Sequence, residues 1–470
     1  MKNVLWIQTD EQRPDSLGCY GSEWARTPNV DELARRGTTF HQCHVQSPMC
    51  VSSRTSMLFG RYPQETGVFS NAVQSDTTIL DPDVKAVTHL FADAGYHTAS
   101  LGKWHTPPPP RPTWQYLDAF IGYPDVADPT AVYPPFTDAG QRVIKNPGSF
   151  MDTVEIPVII GGIYPYHDWG TDPTGHLTDL TIAHLREVVA SGRPFFVRIS
   201  YVAPHTPVLT PSPWHLLYDP DEVKCNAGNQ RAHDARSSYD RWLARVEAGL
   251  KMPLDVWRQA AADYYGLCAY VDHEVGRLMQ VLDELGVADS TIVAYNADHG
   301  RAMGEYGHCQ KGTYDTEVWR VPFIIADPAR ETSGDHRHDL CELIDFARTL
   351  CGLAGIEPEP AMRGRDLFDP VGSGPDAVFG VVDMFTTRRA GVRTERYRYD
   401  CTYALDDQRL DPGRLGVDAN LIDIAADPDE TVNLIDEPGS ASVAAELFAL
   451  IDEWMSIAPS AGPAPTASPG

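Results

Sequence analysis

Hydrophobic and polar positions alternate with two different periods along the first 330 residues of the chain. Short runs of branched and aromatic residues predict buried strands at 3–9, 97–102, 194–202, 290–300 and 320–327. Segments with apolar residues at helical spacing predict helices at 27–37, 53–61, 89–96, 177–192 and 257–286. Because the two kinds of element alternate, we predict an α/β fold with a large, mostly parallel sheet sandwiched by helices.

The pattern changes beyond about residue 370. Segments of mixed polarity joined by short links predict strands at 377–384, 389–403 and 419–427. An amphipathic segment at 442–455 predicts one helix after them. This part of the chain is therefore expected to form a small antiparallel sheet with one helix.

These patterns predict how the chain is divided. We expect a catalytic domain at 1–365 and a C-terminal α+β subdomain at 366–456. The last segment, 457–470, is rich in Pro, Ala, Ser and Gly and is expected to be a disordered tail. Irregular inserts at 106–150 and 203–255 are too long for plain connections, so they are expected to roof a site.

The amino-acid composition limits the classes to which the protein and its binding partners can belong. The 470 residues are 42% hydrophobic, which is enough for a large core, and no apolar run is long enough to span a membrane. The formal net charge of −27 disfavours nucleic acid and anionic membranes as partners. Nine scattered cysteines without a CxxC pair, and an N-terminus without a signal-peptide pattern, predict a cytoplasmic protein without disulfides or structural zinc.

Acidic residues directly follow two of the predicted strands. Asp10 and Glu11 come after the strand at 3–9, and Asp298 and His299 lie at the end of the strand predicted at 290–300. Ligands of open parallel sheets bind at the carboxyl ends of the strands, so these side chains are expected to converge there. Three carboxylates and an imidazole suit a hard divalent cation, although ordinary loop acids that cap helices are the alternative.

Cys50 lies at the N-terminus of a predicted helix, and Arg54 lies one helical turn after it. A helix N-terminus makes a thiol more acidic and stabilises a bound anion. The alternative is a small buried hydrophobe, since free cysteines are among the most buried residues.

Basic side chains follow three other apolar runs, in GKWH, APHTP and QKGTYD: Lys103, His105, His205 and Lys311. They would give an acidic protein the local positive charge that an anionic ester needs, and the histidines could exchange protons near neutral pH. Taken singly, the lysines could equally be solvated surface residues. The sequence lacks GxGxxG after a strand, GxxxxGK[ST], HExxH and GxSxG, which disfavours nucleotide binding, zinc proteolysis and a serine hydrolase.

These stretches resemble one protein family. The segments TDEQRPDSLGCYG, TPNVDELARRGTTF, SPMCVSSRTSMLFGRYP, GKWH, APHTP, NADHG, QKGTYDTEVWRVP, VRTERYRY and DPDETVNL run in this order. Together they resemble the formylglycine-dependent sulfatases of the alkaline phosphatase superfamily, near bacterial arylsulfatases, choline sulfatases and phosphonate monoester hydrolases. The resemblance extends from residue 2 to about residue 455. It implies an alkaline phosphatase-like fold and a sulfatase that hydrolyses a sulfate monoester to an alcohol and inorganic sulfate.

The resemblance also implies a cofactor and a role for each site residue. A formylglycine-generating enzyme would oxidise Cys50 to an aldehyde, whose hydrate is the nucleophile. One divalent metal, usually Ca²⁺ with Mg²⁺ or Mn²⁺ in some relatives, would be bound by Asp10, Glu11, residue 50, Asp298 and His299. Arg54 and Lys103 would orient the modified residue, and His105 would help expel sulfate. His205 and Lys311 would hold the small anionic ester and protonate its leaving group.

The chain departs from the family pattern at three positions, and two other functions stay open. Ser52 stands where Pro is commonest, Thr55 where many members have Gly, and Glu11 where Asp or Gln is usual. The same site could hydrolyse a phosphonate monoester or a phosphodiester. A non-catalytic, anion-binding protein with an unmodified Cys50 is the alternative from another class. The sequence leaves the alcohol, the metal and a homo-oligomer open, and substrate specificity is expected in the inserts at 106–150, 160–178 and 205–255.

Overall fold

The structure is a computed structural model, and it describes most of the chain. The described residues are 1–71, 84–107, 172–227, 233–247, 251–330, 334–369, 374–384, 387–405, 408–409 and 418–457, together with three strands at Tyr116–Phe120, Val143–Lys145 and Ile159–Gly162. The predicted tail from residue 458 onward and most of the insert at 106–150 lie outside them.

A nine-stranded sheet forms the centre of the fold. From edge to edge its main strands are Asp335–Glu342, Thr38–His44, Phe323–Ala326, Thr291–Ala297, Asn3–Thr9, Phe195–Ser200, His97–Lys103 and Tyr116–Phe120. The short strand Arg320–Val321 pairs with Thr38–His44. Phe323–Ala326 runs antiparallel to both of its neighbours, whereas the strands from Thr291–Ala297 to Tyr116–Phe120 are parallel. The prediction of a large, mostly parallel sheet is confirmed.

The side chains of the central strand alternate between two cores, one on each face of the sheet. Val4 and Trp6 belong to one buried cluster, and Leu5 and Ile7 belong to the other. The helices Cys50–Phe59, Val87–Asp93 and Asp345–Ala354 contribute side chains to the first cluster, and Trp319 joins them from the short helix Thr316–Trp319. Three helices contribute to the second: Pro28–Arg36, Pro173–Ala190 and Leu254–Glu284. Helices therefore cover both faces, as the alternating pattern predicted.

A second sheet follows in the C-terminal part of the chain. Its five antiparallel strands are Ala377–Met384, Thr387–Thr394, Tyr397–Leu405, Gln408–Arg409 and Ala419–Asp423. The helix Ser440–Met455 packs on it through Leu447 and Ile451. The antiparallel sheet with one helix is confirmed, and the boundary at residue 365 stays a prediction.

The remaining elements are short or lie outside the two main sheets. The other α-helices are Pro63–Thr66, Ser238–Glu247 and Thr316–Trp319, and Val143–Lys145 pairs with Ile159–Gly162. Short 3₁₀ turns are Pro14–Ser16, Gly18–Tyr20, Trp214–Leu216, Ala288–Ser290 and Glu305–Gly307. All nine cysteines are free thiols. Among the described residues, no helix combines the length and the apolar character needed to cross a membrane.

Candidate active site

Two adjacent parallel strands bring the acidic residues together at the carboxyl edge of the sheet. Thr9 and Ala297 are register partners, so Asp10 and Asp298 follow them side by side. The backbone N–H of Glu11 donates to Asp298 Oδ1 at 3.3 Å. Glu11 has a φ of +57°, a backbone conformation that is uncommon for a residue with a side chain. The expected convergence of Asp10, Glu11, Asp298 and His299 is therefore what the fold produces.

The thiol of Cys50 lies between these acids and the basic side chains. Cys50 is the first residue of the helix Cys50–Phe59 and is fully buried. Its Sγ is 3.0 Å from Lys311 Nζ, 3.1 Å from His299 Nε2 and 3.8 Å from Lys103 Nζ. Burial alone would raise the pKa of this thiol, but Lys103 and Lys311 outweigh it and hold the pKa well below its usual range.

Arg54 links the two carboxylates that end the adjacent strands. Its Nε donates to Asp298 Oδ2 and its Nη2 to Asp10 Oδ2, both at 2.7 Å. Nη1 donates to Ser200 Oγ at 2.9 Å. Lys103 Nζ lies 2.5 Å from the same Asp10 oxygen. The planar guanidinium suits this arrangement because its donors point in several fixed directions at once.

A buried group of potential metal ligands remains on the other side of these carboxylates. One ligand atom from each of Asp10, Cys50, Asp298 and His299 lies within 4.8 Å of all the others. His299 Nδ1 faces the carbonyl oxygen of Gly300 at 2.8 Å, which favours a proton on Nδ1 and leaves Nε2 towards Cys50. Carboxylate oxygens and an imidazole nitrogen suit a divalent cation, so the residues present fit the implied metal.

Glu11 lies in an adjacent group with the two residues expected at the leaving group. Its Oε1 is 2.6 Å from Lys311 Nζ and 3.2 Å from His205 Nε2, and these two nitrogens are 3.1 Å apart. Burial would raise the pKa of Glu11, but His205 and Lys311 lower it to about 2. Glu11 Oε2 is buried, accepts no hydrogen bond and lies 3.3 Å from Arg301 Nη1.

His105 and Arg301 complete the surroundings of the site. His105 has a φ of +45°, its Nδ1 is buried without a hydrogen-bond partner, and burial lowers its pKa. Arg301 was not predicted, although its Nη1 lies 3.3 Å from Glu11 Oε2 and only 1% of the residue is exposed. The one signal in the sequence is its position, two residues after His299.

Comparison with known proteins agrees with the fold and shows the family. The fold is alkaline phosphatase-like and is shared with a phosphonate monoester hydrolase and with a 2-O GAG sulfatase. A family model described as "Sulfatase" matches residues 2–356. A second family model, described as "N-sulphoglucosamine sulphohydrolase, C-terminal", matches residues 304–456. The chain therefore belongs to the sulfatase family, and it is a sulfuric ester hydrolase.

Individual relatives are similar over most of their length. Iduronate 2-sulfatase from Homo sapiens is 28% identical over 76% of this chain and 70% of its own. Arylsulfatase from Clostridium perfringens is 28% identical over 78% of each chain. The crystal structure of the phosphonate monoester hydrolase of Agrobacterium radiobacter aligns with a TM-score of 0.80 and 22% identity, over 97% of this chain and 96% of that one.

Proposed function

We propose that this sulfatase hydrolyses a sulfate monoester to an alcohol and inorganic sulfate, with a formylglycine derived from Cys50 as its nucleophile. The observation that carries the proposal is the position of Cys50. Its Sγ lies within 3.1 Å of Lys311 and His299, beside the carboxylates at the sheet edge. A residue that only filled a core would not be surrounded by buried charges, because each such charge costs free energy unless it is paired.

We also propose one divalent metal, Ca²⁺ first and Mg²⁺ or Mn²⁺ as alternatives. Asp10, Asp298, His299 and residue 50 would hold it, since their ligand atoms already form one buried group. Glu11 stays in the proposed ligand set because it forms a second group of potential metal ligands with Asp10 and His205. When bound, such an ion supplies positive charge that polarises the ester and favours an ionised oxygen nucleophile.

The residues of the chain would then share the remaining work. The hydrated aldehyde offers two oxygens on one carbon, one to attack sulfur and one to expel sulfate by elimination. Lys103 and Arg54 neutralise Asp10 beside this carbon, so they would hold the nucleophile in place. His105 would take the proton that the elimination releases, and its lowered pKa keeps the ring neutral and able to accept it.

Lys311 and His205 would act on the departing alcohol. Their nitrogens are 3.1 Å apart on the side of the site that faces Glu11, and Lys311 also contacts Cys50 Sγ. As the sulfur–oxygen bond to the alcohol breaks, the alkoxide needs a proton or a nearby positive charge. Groups that provide it matter most for alcohols that are poor leaving groups.

Three measurements test the proposal. Mass analysis of the peptide that spans Cys50, taken from the native host, should show the aldehyde in place of the thiol. The metal-loaded protein should cleave an aryl sulfate. Lys311→Ala and His205→Ala should lower kcat/KM more for an alkyl sulfate than for an activated aryl sulfate. An unmodified Cys50, or equal losses on both substrates, would contradict the scheme.

Hydrolysis of a phosphonate monoester or phosphodiester is a second candidate at the same site. The Asp298–His299 pair suits this chemistry slightly better than an Asp–Asn pair would. The Agrobacterium radiobacter structure, named a phosphonate monoester hydrolase, shares the fold. A side-by-side assay of aryl sulfate, phosphate diester and phosphonate monoester decides between the two. A peptide with an intact thiol and no turnover of any of them would favour the non-catalytic, anion-binding alternative.

The proposed setting of the enzyme is the cytoplasm. Nine free thiols support it, because a reducing compartment keeps cysteines unpaired. We retain the proposed division into a catalytic domain at 1–365 and a C-terminal subdomain at 366–456.

A further inference from the structure

We infer that Glu430, in the C-terminal part of the chain, is a positioning residue for Lys311. The inference rests on the proposed function, because it assigns Glu430 to the segment that carries the leaving-group lysine. Glu430 belongs to DPDETVNL, a stretch for which the proposed chemistry has no use. It is 1% exposed and has a φ of +52°, so the chain buries a charge in an uncommon backbone conformation at this point.

The carboxylate of Glu430 binds the end of the Lys311 segment. Its Oε1 accepts a hydrogen bond from the backbone N–H of Thr316 at 3.1 Å and a short one from the Thr316 hydroxyl. Its Oε2 lies 2.9 Å from Arg398 Nη2. Thr316 begins a helix five residues after Lys311, so Glu430 fixes the point at which the segment leaves the site.

Two buried arginines extend this attachment to both sides of Lys311. Asp315 Oδ1 is 3.0 Å from Arg236 Nη2 and 3.4 Å from Arg398 Nη2. Arg236 also donates to the backbone carbonyl of Glu430 at 3.0 Å, and its guanidinium lies 3.7 Å from the centre of the Tyr306 ring. Arg236 therefore contacts residues on both sides of Lys311, Tyr306 and Asp315, and Arg398 adds a second contact to Asp315.

Between these two points the segment packs against the C-terminal sheet. The Tyr314 hydroxyl donates to the backbone carbonyl of Arg389 at 3.0 Å. Gly312 has a φ of +93°, and a Cβ there would meet the Met384 sulfur at 2.0 Å. A residue other than glycine would be strained at this φ and would displace the Met384 side chain. The position of Lys311 Nζ thus depends on contacts with residues beyond 380.

The energetics favour a geometric role for these charges. Buried ion pairs contribute little net stability, because desolvation offsets the attraction between the charges. Arg236 Nε and Nη1 are buried without hydrogen-bond partners, so this network is not optimised for stability. The network instead fixes the position and orientation of each group that it contacts. Misplacing a catalytic group by about 1 Å can cost about 100-fold in rate.

The test compares Glu430→Gln with a matched control, Asp345→Asn. Asp345 is also 1% exposed, accepts backbone hydrogen bonds from Glu342 and Arg365, and faces the Arg365 guanidinium at 3.6 Å. We expect Glu430→Gln to lower kcat/KM by about 10- to 100-fold for an alkyl sulfate and by less than about 3-fold for an activated aryl sulfate. Asp345→Asn should change both equally, and Glu430→Asp should recover part of the alkyl sulfate activity.

Two further readouts separate positioning from folding. The double variant Lys311→Ala with Glu430→Gln should be no slower on the alkyl sulfate than Lys311→Ala alone. Both changes remove the same contribution, the action of Lys311 on the leaving group. Amide hydrogen exchange at 310–316 should be faster in Glu430→Gln than in Asp345→Asn. Equal losses on both sulfates, additive losses in the double variant, or unchanged exchange would each overturn the inference.

The same data separate its failure from a failure of the proposed function. If Lys311→Ala showed no dependence on the leaving group, the role proposed for Lys311 would be wrong. The exchange rates would then test the role of Glu430 independently of Lys311. Faster exchange at 310–316 would support positioning of the segment by Glu430, and unchanged exchange would overturn the inference.

Discussion

Arg54→Met removes the cation that lies between the carboxylates of Asp10 and Asp298. Two charge-assisted hydrogen bonds of 2.7 Å are lost, each contributing about 1.5–3 kcal/mol to the free energy of unfolding. Breaking a buried ion pair costs about 3–5 kcal/mol, because the partner is left charged and desolvated. Burial already raises the pKa of Asp298, so this carboxyl can take up a proton and reduce the cost. We therefore expect a loss at the lower end, about 3 kcal/mol, in the metal-free protein.

The assay is urea-induced unfolding of the wild type, Arg54→Met and Arg54→Lys, each in EDTA and in excess Ca²⁺. An ion that binds only the folded state adds about 2.7 kcal/mol when it is present at about 100 times its Kd. The gain should be larger in Arg54→Met than in the wild type, since the ion replaces the missing positive charge. Arg54→Lys should lie between them, because one ammonium group cannot reproduce both contacts. A loss below about 1 kcal/mol in EDTA, or no gain from Ca²⁺ in Arg54→Met, would refute the reasoning.

Two other predictions concern the site, and a third concerns Glu342. Asp298→Asn should abolish turnover while leaving the circular dichroism spectrum unchanged, and activity within a few-fold of the wild type would place the metal elsewhere. Cys50→Ser, made in a host that modifies only cysteine, should give at most one turnover and a trapped sulfated serine, whereas Cys50→Ala should still bind Ca²⁺ weakly by calorimetry. Burial and the nearby Asp345 raise the pKa of Glu342 from 4.5 to about 8. The protonated carboxyl therefore stabilises the folded state, and this contribution is lost as the pH rises from 4.5 to about 8. Glu342→Gln should reduce the fall in Tm between pH 5 and pH 8.

The central strands could be predicted from the sequence because buried strands contain runs of apolar residues. Asn3–Thr9 and Thr291–Ala297 are almost entirely buried, and nine of their fourteen residues are apolar or aromatic. Thr38–His44 and Asp335–Glu342 were missed. They read TTFHQCH and DHRHDLCE, and four of the first five residues of the latter are exposed. Neither segment has a run of apolar residues, because each is stabilised by pairing with strands that lie far away in the sequence, which a local pattern does not show.

The helix that carries Cys50 shows a different limit. It was expected to begin at Ser53, yet it begins at Cys50, and all ten of its residues are buried. A helix that is buried on every side has no polar face, so periodicity does not mark where it starts. Its polar side chains have partners far along the chain, as when the Ser53 hydroxyl donates to the backbone carbonyl of Asp298. Arg301 was missed for the same reason, because its contact with Glu11 joins residues 290 positions apart.

The charges of the site explain how a protein with a net charge of −27 could accept an anionic ester. Each carboxylate at the sheet edge is already paired with a basic side chain: Asp10 with Arg54 and Lys103, Asp298 with Arg54, and Glu11 with Lys311 and Arg301. These pairs neutralise one another, so the protein alone need not leave buried charges uncompensated. Under the proposed function, the carboxylates would hold a divalent cation, and the ammonium groups of Lys103 and Lys311 would be available to the ester. Cation and anion would then enter a site whose charge stays balanced, and the strong field of the remaining surface would not need to be reversed.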